Sequence, residues 1–188
     1  MKLSNLGSRA RGHASTGASA VVVIGLVGLL YLHFKGEGAW VGKPAPDFSL
    51  PVAFGAGAEA GDRIRLSDLK GQFVVLDFWA SWCEPCRQSV PLLDQVAKDL
   101  APDGVRVFGI NSEGLTPDRV RAVAEGWGFV YPVLHDATAE TMLGYDVRVL
   151  PTLFLVDRKG IVRRTYGGAP TAERIIAEVR ELNRKYGP

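Results

Sequence analysis

Seven consecutive residues, Phe73-Val-Val-Leu-Asp-Phe-Trp79, constrain this chain more than any other segment. A strand with one wet face alternates apolar and polar side chains, and this run does not. As a strand it must be covered on both faces, which requires a central position in a layered sheet. Its one charge, Asp77, is costly there unless something partners it.

The segments around this run supply the layers. A helix is expected from near Cys83 to about Leu100, with Val90, Leu93, Val96, Ala97 and Leu100 as its apolar stripe and Pro91 placed to kink it. Val105–Ile110 reads as the next strand. Thr116-Pro117-Asp118 has the order of an N-cap, an N1 proline and a first-turn acid, so a helix follows. Tyr131–Leu134 reads as a short strand, and Thr138 as the cap of a short helix. Leu153–Val156 and Ile161–Tyr166 flank Asp-Arg-Lys-Gly as a hairpin. Thr171 caps a last helix with Ile175, Ile176, Val179 and Leu182 on one face. Upstream, Lys43-Pro-Ala-Pro-Asp-Phe-Ser-Leu-Pro is extended, with Phe48 and Leu50 pointing one way. Residues 54–62 form a glycine-rich loop, and Arg63–Leu66 fits a short partner strand. Alternating strands and helices closed by a hairpin and a helix give an α/β fold with parallel and antiparallel parts.

The chain has 188 residues, enough for about one domain and a remainder. The remainder is N-terminal. Residues 12–34 carry no Asp, Glu, Lys or Arg, and residues 18–34 are densely apolar. As a helix those 17 residues span about 25 Å, just enough to cross a bilayer core. Lys2, Arg9 and Arg11 precede them. The formal charge of +2 divides into +3 for residues 1–39 and −1 for the rest. The positive-inside rule then keeps the N-terminus in the cytoplasm and exports the remainder. The expected organisation is a cytoplasmic tail over 1–17, a transmembrane anchor or uncleaved signal over 18–34, a linker over 35–46 and a domain over 47–188. A cleaved signal peptide, ending near Gly36-x-Gly38, is the alternative. With no basic excess in the folded part, nucleic acid is not an expected partner.

The chain has two cysteines, Cys83 and Cys86. They are too few for a disulfide scaffold or a four-cysteine metal site. A C-x-x-C pair is a redox couple, half of a metal site, or chance. Its place at a strand-to-helix junction puts Cys83 at a helix N-terminus, where free backbone N–H groups and the helix dipole favour an anion. The thiolate is the reactive form of cysteine, so the position makes a nucleophile. Cys86, one turn on, lies within disulfide reach. Pro85 stiffens the turn, and Trp82 is placed to shield one side. Residue 87 is Arg, which excludes the haem-attachment pattern C-x-x-C-H.

Phe-Trp-Ala-Ser-Trp-Cys-Glu-Pro-Cys resembles the active-site motif of the thioredoxin superfamily. The similarity extends over about residues 40–185. Asp77 stands six residues before Cys83, where thioredoxins keep a buried acid. Pro91 stands where their active-site helix kinks, and Val149-Leu-Pro151-Thr152 resembles the segment bearing their cis-proline. Val41-Gly-Lys-Pro-Ala-Pro-Asp-Phe and the anchor resemble the ResA/TlpA/DsbE (CcmG) branch, which is membrane-tethered and extracytoplasmic. Asp77 departs from that branch, whose members often lack the acid.

The resemblance implies a thioredoxin-like fold, a central mixed sheet flanked by helices, and no cofactor. It implies that Cys83 attacks a client disulfide and Cys86 resolves the mixed disulfide. Asp77 would accept the proton of Cys86. Pro151 would be cis, and the Leu150 backbone would pair with extended substrate. Glu84 would raise the thiolate pKa and disfavour a strong oxidant. ResA-like proteins have a functional acid near the loop Ile-Asn-Ser-Glu-Gly, which makes Glu113 a candidate, with a solvated loop acid as the alternative. Trp79 and Trp82 are expected to pack and shield, and His135 to be a surface or loop residue. The activity implied is reduction of disulfides in clients such as apocytochrome c, fed by a membrane electron donor of the DsbD/CcdA type. Two rivals remain. One is a peroxiredoxin-like peroxidase, suggested by Pro-Ala-Pro-Asp-Phe, although Ala80 stands where its Thr-x-x-Cys pattern needs threonine. The other is a copper or zinc chaperone using the cysteine pair.

Overall fold

A computed structural model of the chain describes residues 39–55 and 62–187. The expected tail and anchor at 1–17 and 18–34 lie outside the described residues. Among the described residues no helix is long and apolar enough to cross a membrane.

Seven strands of the described residues form one sheet: β1 Ser49–Phe54, β2 Arg63–Arg65, β3 Phe73–Trp79, β4 Val105–Asn111, β5 Val133–His135, β6 Thr152–Val156 and β7 Val162–Gly167. Among the described residues four α-helices accompany them: α1 Glu84–Leu100, α2 Pro117–Trp127, α3 Glu140–Gly144 and α4 Ala172–Tyr186. The strand order is β2-β1-β5-β4-β3-β6-β7. β3, β4 and β5 run parallel, and β6 and β7 continue the sheet antiparallel.

All seven residues of β3 are buried. Because side chains alternate along a strand, they divide between two cores. Phe73, Val75 and Trp79 pack with Val90, Leu93 and Val96 of α1, Val120 and Ala124 of α2, and Ile175 and Val179 of α4. Val74, Leu76 and Phe78 pack on the other face with Phe48, Leu50, Phe108, Tyr145 and Phe154. Asp77 shares the parity of Val75 and Trp79, and so belongs to the face that α1 covers.

The expected caps of α2 and α4 are present. Thr116 Oγ1 accepts from the Arg119 N–H at 3.3 Å, and Thr171 Oγ1 from the Arg174 N–H at 3.4 Å. Thr138 does not cap α3. Its N-cap position is Ala139, at φ 57°, with no side-chain bond. Asp136 takes over, because its carboxylate accepts from the Met142 N–H at 3.0 Å from just beyond β5. Residues within the segment expected as linker are bonded into the domain. The Gly42 N–H donates to the Val162 carbonyl and the Ala45 N–H to the Gly160 carbonyl, each at 2.8 Å.

Candidate active site

β3 ends at Trp79, and the chain turns through Ala80-Ser81-Trp82 into α1. The Cys83 N–H donates to the Ala80 carbonyl at 3.0 Å and closes that turn. Cys83 is the N-cap of α1, with extended backbone, and its Sγ accepts from the Cys86 N–H at 3.2 Å. One of the orphan donors of the helix start is therefore aimed at this sulfur. Cys83 and Cys86 are joined as a disulfide, with Cα atoms 5.2 Å apart. Pro85 lies in the first turn of the helix, where its missing N–H costs nothing.

Glu84 points into solvent, 3.9 Å from exposed Arg87. Solvent and that cation both weaken its field at Cys83. Trp82 is 73% exposed. It is not packed into the core as expected. Trp79 does pack, against Trp127 and Phe129 at 5.2 and 4.9 Å.

The Leu150–Pro151 bond is cis. Phe78 is in register with Thr152, so Pro151 lies at the end of the sheet where β3 gives way to the cysteine turn. The Pro151 carbonyl accepts from the Gly168 N–H at 2.7 Å, and Thr152 Oγ1 donates to the Val149 carbonyl at 2.7 Å. Leu150 is partly buried against both cores, while Val149 is exposed.

Asp77 is 1% exposed. Its Oδ2 accepts from the Tyr131 hydroxyl at 3.1 Å, and its Oδ1 has no hydrogen-bond partner among the described residues. Burial pushes its pKa from the usual 3.8 up to about 7, against a smaller downward pull from that hydroxyl. A carboxyl that changes charge near neutrality can exchange protons with a thiol.

Glu113 is more than a loop acid in water. Its carboxylate accepts from the Ser81 N–H at 2.6 Å, from Ser81 Oγ at 3.0 Å and from Asn111 Nδ2 at 2.9 Å. It holds the turn that presents Cys83. His135 lies neither on the surface nor in a loop. It is buried at the end of β5, in register with Asn111, with Nε2 3.1 Å from the Glu113 carbonyl. One further parallel pair at the end of β5 carries it inside.

Ser81, Asn111 and Tyr131 were not singled out from the sequence. Tyr131 had a usable signal. It is a hydroxyl in an otherwise apolar stretch, and Asp77 is an acid in another, so each needs a buried partner.

Known proteins are similar to this chain. Thioredoxin-like protein YneN of Bacillus subtilis is 33% identical, over 82% of this chain and 89% of its own length. Thiol-disulfide oxidoreductase ResA of Geobacillus kaustophilus is 32% identical, over 84% and 88%. The crystal structure of the pneumococcal exposed lipoprotein thioredoxin Etrx1 from Streptococcus pneumoniae matches 73% of this chain and 100% of its own. Its TM-score is 0.62, at 32% identity. With the mixed sheet and the cysteine pair, these similarities define a thioredoxin-like thiol–disulfide oxidoreductase. Residues 41–165 match the AhpC/TSA family, and this chain belongs to it.

Proposed function

We propose that this chain is an extracytoplasmic reductase of disulfides in client proteins, apocytochrome c among them. The observation that carries the reading is the sulfur of Cys83 at the N-cap of α1 with the Cys86 N–H aimed at it. In the reduced protein that N–H and the helix dipole stabilise a Cys83 thiolate. The thiolate attacks a client disulfide, and one client sulfur leaves with the electron pair. Cys86 gives its proton to Asp77 and attacks Cys83, which restores the Cys83–Cys86 disulfide and releases the reduced client. Two electrons have passed to the client, and a membrane donor of the DsbD/CcdA type returns them.

The other site residues serve this sequence. Pro151 and the Leu150 backbone receive extended substrate beside the disulfide, with exposed Trp82 and Val149 offering apolar contact. Pro85 stiffens the cysteine turn, Glu113 holds it, and Glu84 disfavours the thiolate slightly through solvent. The placement outside the cytoplasm is supported by the charge asymmetry of the N-terminal segment. The name of Etrx1, an exposed lipoprotein, agrees with it. The reductase direction is supported by Glu84 beside the thiolate and by the apolar N-terminal segment, which suits docking to a membrane donor.

The test is trapping in cells with Cys86→Ala. Without the resolving thiol, Cys83 holds its client as a mixed disulfide that mass spectrometry identifies. Recovery of c-type apocytochromes is expected. Recovery of other clients without them overturns the cytochrome assignment, and recovery of no client overturns the reductase.

A further inference from the structure

Asp77 has two carboxylate oxygens in one buried place, and the protein treats them differently. Among the described residues Oδ2 has a donor and Oδ1 has none. The donor is held from both sides. The Val130 N–H donates to Asp94 Oδ1 at 3.0 Å, which ties the segment before Tyr131 to α1, the helix that carries Cys86. The Gly109 N–H donates to the Pro132 carbonyl at 2.9 Å, which ties the segment after it to β4. The ring packs edge-on against Phe129 at 5.0 Å, over the bare backbone of Gly109.

We propose that Tyr131 is a positioning residue for proton transfer, whose hydroxyl occupies Oδ2 of Asp77 and leaves Oδ1 as the atom that takes the proton of Cys86. The inference rests on Asp77 being the proton acceptor of Cys86. The step balances. The S–H bond of Cys86 breaks, and an O–H bond forms at Oδ1. The Cys86 thiolate then displaces the client thiolate from Cys83. Tyr131 donates to Oδ2 in both states of the carboxyl, so it need not reorient during the reaction. It remains a donor, since burial and the neighbouring Asp77 charge hold its own pKa well above the usual value of a phenol.

Few other groups bear on this pair. On α1, Asp94 acts on Tyr131, and Lys98 stands beside Asp94. On the flanking strands, the residues in register with Asp77 are Gly109 and Leu153, neither of which titrates. The two cysteines are buried in the core on this face, and His135, two residues beyond Val133 on β5, shares its side of the sheet.

Tyr131→Phe keeps the ring and removes only the donor. The experiment charges Cys83 of the reduced protein with thionitrobenzoate and follows its release by Cys86 as a function of pH. Loss of a hydrogen bond to the carboxylate should slow release near neutral pH by about five- to tenfold and move the midpoint up by about one pH unit. The rates should converge with wild type above both midpoints. Carbon-13 NMR of the Asp77 carboxyl in the oxidised protein should show the same upward move. An unshifted Tyr131→Phe profile, with the pH step lost in Asp77→Asn, overturns the role of Tyr131 and leaves Asp77 as acceptor. A wild-type profile in Asp77→Asn overturns the acceptor, and the inference falls with it.

Discussion

A carboxyl placed under a sheet trades stability for a proton site. Below about pH 4, Asp77 is protonated in both the folded and unfolded chains and costs nothing electrostatically. Between about pH 4 and 7 the unfolded chain ionises while the folded one keeps its proton, since the pKa rises from 3.8 to about 7 on burial. Folding stability therefore falls with rising pH through that window and levels off above it. The full loss is on the order of 4 kcal/mol. Asp77→Asn removes it. Urea denaturation of the oxidised proteins should show the variant gaining on wild type from about pH 4 to 7, by up to that amount. A difference that stays constant with pH would count against a buried, proton-holding Asp77. Asp77 was visible in the sequence as the one charge in an apolar run. Its partner Tyr131 was not, because it stands 54 residues away and only the pairing of β3, β4 and β5 brings the two together.

At the scale of elements, β4 is built around what lies across it. Gly109 sits in a buried strand where a side chain would be ordinary. A Cβ there would come within 3.0 Å of Trp79 Nε1 and 3.3 Å of both the Phe129 and Tyr131 rings. The rings that frame Asp77 need a strand with no side chain at that point. Gly109→Ala should cost about 1–3 kcal/mol by overpacking. Thermal unfolding will measure it, and a stability unchanged from wild type would mean that the rings make room freely. The helix starts show which element features are local. Thr116 and Thr171 cap as their own sequences dictate, since the bonded N–H lies three residues on. Thr138 fails because the acid at the end of β5 reaches the helix first, and its reach depends on where β5 stops.

Across the whole molecule the chemistry occupies one end of β3 and a mechanical tie the other. Arg158, in the turn between β6 and β7, donates through Nε to Asn183 Oδ1 of α4 at 2.9 Å. Through Nη1 it reaches the Gly71 carbonyl before β3 at 2.7 Å, and through Nη2 the Asp103 carbonyl after α1 at 3.3 Å. Three segments distant in sequence meet on one guanidinium. The seven residues of β3 separate this tie from the cysteine turn by roughly 20 Å. Arg158→Ala should therefore destabilise the fold by about 1–3 kcal/mol. It should leave the alkylation rate of Cys83 in the reduced protein at the wild-type value. A changed alkylation rate would mean that the two ends of β3 are coupled.

By itself the sequence determined what periodicity and near neighbours can carry. That includes a strand buried on both faces, the helix with its cysteine pair at the N-terminus, two threonine caps and the closing hairpin. Each depends on residues a few positions apart, whose geometry the backbone sets directly. Only the tertiary structure decided the partnerships across the sheet. Tyr131 reaches Asp77, and Glu113 holds Ser81 across 32 residues. His135 is drawn inside, and Trp82 is turned out to solvent. A buried polar group must find a hydrogen-bond partner, but which one it finds depends on strand order and register, and no local pattern encodes those.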